Sequence, residues 1–181
     1  ADLAGRGSRA LEDIQRKGLT FGTLLTGSFL LGRKFAAFTK EAEYTGVLLP
    51  NVNACAVSIF GLMAYGRVPA MINFSSGIKN ILSSCRAAQL KTIITSKMFI
   101  HKAEMESVIK DIEAAGLKIV YLEDIQKTIN IVDKLRALAQ SNFPYFSYRH
   151  TDKNRTPYKA AVVLFTSGSE GVPKGVVLSH K

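Results

Sequence analysis

Small hydroxyls, glycines and one lysine crowd into residues 166–175 of this sequence, which read TSGSEGVPKG. Gly168, Gly171 and Gly175 let the backbone take positive φ and let a ligand come close to the amides. Thr166, Ser167 and Ser169 add hydroxyl donors, and Lys174 adds a mobile positive charge. Several N–H groups turned toward one concavity, ringed by hydroxyls and an ammonium, make an anion nest. Its natural occupant is a chain of phosphates. Glu170 is assigned a structural role, in an ion pair within the loop or facing solvent.

Two better-known phosphate loops do not fit. A Walker A loop needs GxxxxGK[ST], but here Gly175 follows Lys174, and Val172 and Pro173 separate Gly171 from the lysine. The dinucleotide fingerprint needs GxGxxG opening a helix, and residues 168–171 have neither the spacing nor the helix. The run GVVL at 175–178 is strand-like. The loop is therefore expected to join two strands, so a helix dipole is not the source of its anion affinity.

The elements that must position this loop alternate along the chain. Residues 10–14 and 18–21 read as two short strands joined by the basic turn Gln15-Arg16-Lys17. Thr20 can cap a helix through about Phe38, although Gly22, Gly27 and Gly32 weaken it by about 1 kcal/mol each. Strand readings at 45–49, 67–73, 91–96 and 117–122 then alternate with helices at 52–65, 75–89, 99–115 and 125–140. Ser75 or Ser76 is the expected cap of the second of these, and Gly116 the stop of the third. Such alternation indicates an α/β fold, a largely parallel sheet flanked by helices. Residues 142–159, rich in aromatics, prolines and cations, break the rhythm and read as an irregular connection. A buried strand at 160–165 leads into the loop. The expected organisation is thus 1–141 as a βαβ-type portion, 142–159 as a connection, and 160–181 as strand–loop–strand.

Composition bounds the partners. With 181 residues, 47% hydrophobic and 21% charged, the chain is the size of one globular domain. Its net charge of +10 favours acidic partners: nucleic acid, anionic lipid, an acidic protein or a polyphosphate. Cys55 and Cys85 stand in apolar segments without CxxC spacing and read as buried reduced thiols in a reducing compartment. The most apolar run, 54–65, is too short for the about 20 residues that span a bilayer, and residues 1–6 have no apolar core for a targeting signal.

TSGSEGVPKG resembles the phosphate-binding signature of the adenylate-forming enzymes: acyl-CoA and acyl-carrier-protein synthetases, luciferases and amino-acid adenylation domains. Glu170 and the residues SHK at 179–181 narrow the resemblance, as do LLPN (48–51), GRVPAMIN (66–73), KTIITS (91–96) and VYLED (120–124). Together they are similar to the synthetase half of the bifunctional 2-acylglycerophosphoethanolamine acyltransferase/acyl-[acyl-carrier-protein] synthetases, over most of residues 10–181. The resemblance implies that a fatty-acid carboxylate attacks the α-phosphate of Mg²⁺-ATP, and that the phosphopantetheine thiol of acyl carrier protein then takes the acyl group. Thr166, Ser167, Gly168, Ser169, Gly171 and Lys174 would bind the β- and γ-phosphates as pyrophosphate leaves. A 2-acyl lysophospholipid would be the final acceptor in the parent protein, a cytoplasmic protein at the cytoplasmic face of the inner membrane. No catalytic residue and no metal ligand are assigned in this chain. The HxxxxD signature of an acyltransferase half is absent: Glu106 stands five places after His101 and Arg155 five after His150. Both histidines read as surface residues. The adenine and acid pockets and the Mg²⁺ ligand of such enzymes lie downstream, so the chain reads as a fragment, inactive alone, whose strand at 175–178 lacks an obvious partner.

Two alternatives stand beside this reading. The acceptor could be CoA; the positive charge leans toward the acidic carrier protein, for which Arg67, Lys79, Arg86, Lys91 and Lys97 could form a docking face. A basic binding module would instead use residues 145–155 to stack nucleic-acid bases, or the 20–40 helix, with Arg33, Lys34 and Lys40, to lie on an anionic membrane. Asp152 and Pro157 make a plain linker the better reading of 145–155, and no nucleic-acid partner is expected.

Overall fold

The computed structural model describes residues 5–152, 156–166 and 173–181. Its elements begin with strands β1 (Arg9–Glu12) and β2 (Gly18–Thr20), helix α1 (Phe21–Ala36), strand β3 (Tyr44–Val47) and helix α2 (Asn53–Ala64). Strand β4 (Val68–Met71) leads through a 3-10 turn (Phe74–Ser76) to α3 (Ile78–Ala87), β5 (Thr92–Thr95), α4 (Lys97–Lys102) and α5 (Glu106–Ala114). Then follow β6 (Lys118–Tyr121), α6 (Leu122–Lys127), α7 (Ile131–Asn142), α8 (Pro144–Thr151), β7 (Ala160–Thr166) and β8 (Lys174–Ser179). They fall into two compact units.

The first unit comprises Ala1–Phe38, Asn51–Gly66 and Ile129–Arg155. β1 and β2 form an antiparallel hairpin whose turn is held by Asp13, its carboxylate accepting from the N–H groups of Gln15 and Lys17 at 2.9 and 3.0 Å. Thr20 caps α1 as expected, accepting from Thr23 N–H at 3.2 Å. Two of the three glycines that weaken α1 in isolation, Gly27 and Gly32, lie against α2. A Cβ on Gly32 would lie 2.3 Å from the carbonyl oxygen of Gly61, so the two backbones cross in contact there. Tertiary packing overrides helix propensity at this crossing. The apolar side of α1 is buried at Leu24, Phe29 and Phe35, and Lys34 forms a 2.7 Å ion pair with Asp133 of α7. The 20–40 helix therefore offers no free apolar face to a membrane. Among the described residues no helix is long and apolar enough to cross one.

The second unit comprises Thr39–Pro50, Arg67–Thr128 and Thr156–Lys181. It holds a six-stranded sheet in the order β6-β5-β3-β4-β7-β8. The first five strands run parallel and β8 is antiparallel to β7. The α/β reading with a largely parallel sheet flanked by helices holds. Every residue of β5 is buried, and β3 is buried from Thr45 onward, as expected of central parallel strands. Ile81, Cys85 and Ala88 follow the i, i+4, i+7 spacing of a helix face and join Leu48, Ile93 and Val163 in the core.

Five expectations need correction. The helix expected over 75–89 starts at Ile78. Its N-cap is Gly77, with no side-chain cap, rather than Ser75 or Ser76; Asn73 caps the preceding 3-10 turn, its Oδ1 accepting from Ser75 N–H at 3.0 Å. The helix expected over 99–115 is two helices. α4 ends in a Schellman-type cap, with Glu104 at φ 53° and Met105 N–H donating to Ile100 O at 3.0 Å. Buried Met105 and Ile100 share the core, and this contact takes the place of the missing glycine. The helix expected over 125–140 is also two, because Asn130 and Asp133 form a reciprocal capping box that starts α7 afresh. Within 142–159, where an irregular connection is expected, the chain forms α8 with Pro144 in its first turn. The strand at 175–178 is not without a partner, since β8 pairs with β7 from Ala160↔Ser179 to Thr166↔Lys174.

Candidate nucleotide-phosphate site

β7 is laid against β4 with Ala70 opposite Val163 and Met71 opposite Leu164. It leaves the sheet at Thr166, on the edge where β3, β4, β5 and β6 also end at their carboxyl termini. In open parallel sheets that edge is where ligands bind. β8 returns at Lys174, and Thr166 and Lys174 are opposed as the last pair of the β7–β8 ladder. Thr166 Oγ1 lies 3.5 Å from Lys174 O. The ladder thus clamps both ends of the loop, as the strand–loop–strand reading requires. Of the residues assigned to phosphate, Thr166 and Lys174 are brought together. Ser167, Gly168, Ser169 and Gly171, with Glu170, lie outside the described residues.

Both clamp residues are exposed, and Lys174 has no acidic partner among the described residues. An exposed lysine and an exposed threonine opposed at the two ends of a glycine-rich sequence fit an anion. Its neighbours along the β8 side of the ladder, Gly175 and Val176, carry no charge to compete.

The same edge of the sheet is organised by a group that sequence reasoning missed. Glu123, just after β6, accepts from Ser96 Oγ at 2.7 Å and from the N–H groups of Lys97 and Met98 at 3.0 and 3.2 Å. It closes the start of α4 from outside, while Ser96 accepts from Phe99 N–H within the same turn. Lys97 in turn reaches Asp124 at 2.7 Å and sits over the Tyr121 ring. KTIITS and VYLED, distant in sequence, are neighbours because β5 and β6 pair from Thr92↔Lys118 to Thr95↔Tyr121. Partial burial opposes the charge of Glu123, but the Ser96 hydroxyl and the Lys97 and Met98 amides outweigh it and hold the carboxyl below its ordinary value.

Glu123→Ala is expected to cost about 1–2 kcal/mol, the worth of a charged acceptor on a helix N-terminus. A folded-state pKa below the unfolded one gives stability that is full above the ordinary value of 4.5 and fades as pH falls through the depressed one. The urea midpoints of wild type and Glu123→Ala should therefore differ at pH 7 and converge below pH 4, with the slope unchanged. Midpoints equally far apart at both pH values would remove the carboxylate from this account.

Of the proposed docking cations, Arg67 is engaged by Thr39, donating to its carbonyl at 2.7 Å, and Lys97 by Asp124. Lys79 is exposed. Arg86 and Lys91 border an open groove of about 600 Å³ with Leu82, Cys85 and Leu117. That groove lies where β5 and β6 begin, at the opposite end of the sheet from Thr166. His101 and Glu106 form an exposed 3.1 Å pair, and His150 is exposed against the Phe146 ring, so both histidines are surface residues as expected. Cys55 and Cys85 are buried free thiols. Burial raises the pKa of both, that of Cys85 to about 11 despite Arg86 nearby, so neither is a thiolate nucleophile at neutral pH. Among the described residues no three His, Cys, Asp or Glu side chains converge as a metal site.

Comparison with known proteins places the fold and the family. The sulfoacetate–CoA ligase of Cupriavidus necator is 30% identical over 168 residues, covering 90% of this chain and 30% of that protein. The long-chain-fatty-acid–CoA ligase of Bacillus subtilis strain 168 is 26% identical over 189 residues, covering 91% and 32%. The solved structure of VinN with 3-methylaspartate superposes with a TM-score of 0.73 at 20% identity, over 99% of this chain and 45% of that one. This chain thus spans about a third of the two curated relatives. The profile of one family, described as AMP-binding enzyme, matches residues 7–181. That match takes in both the strands of the sheet and the sequence TSGSEGVPKG, and the chain belongs to the AMP-binding enzyme family.

Proposed function

We propose that the whole protein is an ATP-dependent acid–thiol ligase that activates a fatty acid and passes it to acyl carrier protein. The observation that carries this reading is the Thr166–Lys174 clamp at the carboxyl edge of the sheet, closing TSGSEGVPKG. In the first step a carboxylate oxygen of the acid bonds to the α-phosphorus of ATP, and the bond to the β-phosphate oxygen breaks. Negative charge builds on the departing pyrophosphate. Lys174 supplies a positive charge there, and Thr166, with Ser167, Ser169 and the amides of Gly168 and Gly171, supplies donors. Mg²⁺ would accompany ATP as counter-charge to its phosphates, and no ligand for it is assigned in this chain. In the second step the thiol sulfur bonds to the acyl carbon, its proton is lost, and AMP leaves. A cytoplasmic protein that finally supplies acyl groups to a 2-acyl lysophospholipid completes the reading.

A second acceptor is supported by the relatives themselves, both of which are named CoA ligases. The acid is the same question: one relative is named for sulfoacetate, the other for long-chain fatty acids.

Fatty-acid-dependent ATP–pyrophosphate exchange tests the first step, run on the whole protein and on this 181-residue chain in parallel. Exchange by the whole protein and none by the chain alone is expected. Absence of exchange in the whole protein across short, medium and long acids would overturn the reading. Thioester formation with carrier protein against CoA then separates the acceptors.

A further inference from the structure

Helix α7 is built inside out. Its buried side consists of Asp133, Ala137 and Ser141, while its large apolar residues Ile131, Leu135 and Leu138 face outward. At 100° per residue these three fall within one narrow stripe, with Lys134 on one flank and Arg136 on the other. The chain then continues through Phe143, Tyr145 and Phe146, which are also exposed. Exposure across these six residues runs from 49% at Leu138 to 74% at Tyr145, far beyond what scattered surface apolar residues need explained. In α8 the pattern repeats on a smaller scale: Ser147 is buried, and the Arg149 guanidinium covers the outward Tyr145 ring at 5.6 Å.

The charges decide what such a face fits. Asp133 and Asp152 are the acids in 129–152, and both are buried. Asp133 is spent on Lys34 within the unit. Lys134, Arg136 and Arg149 are the exposed charges of the segment, and none has an acidic partner among the described residues. Apolar residues along the centre, cations on both flanks, aromatic rings at one end and no exposed acid are the composition of a helix lying in the headgroup region of an anionic bilayer. We propose that the outer face of α7 and the aromatic turn into α8 form a peripheral binding surface for anionic membrane. The helix lies on the bilayer rather than across it, since its 12 residues are too few to span.

The test is partition of the 181-residue chain onto vesicles of phosphatidylcholine alone and of phosphatidylcholine with 30% phosphatidylglycerol, read by flotation in low and physiological salt. Binding to the anionic vesicles, weakened by salt, is expected. Leu135→Ser with Leu138→Ser should lower partition at least about tenfold, and Lys134→Gln with Arg136→Gln about thirtyfold, at about fivefold per cation. Lys102→Gln with Lys110→Gln, which removes the same charge from the other unit, should change it less than about twofold. All six positions are exposed, and circular dichroism of each variant checks that the fold is kept. No binding to anionic vesicles would overturn the proposal. So would binding that survives the leucine changes, or binding lost equally in the Lys102/Lys110 variant, which would reduce it to net charge.

Discussion

Lys174→Met is expected to lower kcat for fatty-acid-dependent pyrophosphate exchange by about 10²–10³-fold in the whole protein, while leaving its thermal stability unchanged. The two halves of that statement rest on different features. Stability should not move because the Lys174 side chain is exposed and its backbone, not its ammonium, makes the ladder with Thr166. The rate should fall because charge accumulates on pyrophosphate only as the α–β bond breaks, so the ammonium is worth more in the transition state than in bound ATP. The loss should therefore appear in kcat as well as kcat/KM, the signature of an interaction strengthened along the reaction. Thr166→Val, which deletes one hydroxyl donor, should cost less, about tenfold. A Lys174→Met enzyme with normal kcat and a raised KM for ATP would mean that the lysine only docks the nucleotide. A variant within threefold of wild type in both parameters would take Lys174 out of the site.

Gly32→Ala is the second large effect, and it concerns the scaffold. The added Cβ would stand 2.3 Å from Gly61 O and 2.6 Å from the Tyr65 ring, and the first of these is backbone that no rotamer can move aside. α1 and α2 must separate, and overpacking of this kind costs about 3 kcal/mol. That outweighs the about 1 kcal/mol of helix propensity that alanine brings. In a domain of this size the net loss of about 2 kcal/mol should lower Tm by about 4–8 °C. Gly27→Ala is the control: its Cβ would meet the end of the Val57 side chain at 3.0 Å, which can give way, so the propensity gain should cancel much of the cost. Equal melting temperatures for the two variants would mean that α1 and α2 do not cross at Gly32 and Gly61.

Much of this protein was legible from residues in order. The alternation of short β-branched runs with helices announced a parallel sheet, because strands buried on both faces are uncharged and rich in β-branched residues, as β5, buried at every position, is. Thr20 marked the start of α1 since a capping hydroxyl acts on amides two or three residues away. The loop stands out as a candidate phosphate site because its hydroxyls, glycines and lysine lie within ten residues of each other. A capping box at Asn130 and Asp133 was also there to be read, and would have divided the helix expected over 125–140.

What the sequence could not determine depended on which side chains the fold buries and which distant residues it brings together. Glu104 takes a left-handed conformation without being glycine because buried Met105 holds the turn against Ile100. Glu123 caps α4 from across a strand pair, and Gly32 is explained only by Gly61 on another helix. The outward stripe of α7 is the sharpest case. Periodicity reveals an apolar stripe, and such a stripe is read as the core side by default. Here Lys34 neutralises Asp133, so a face of small and polar residues can be buried and the large apolar face turned outward. The pattern of residues set which faces exist; the partners met in three dimensions decided which one points in.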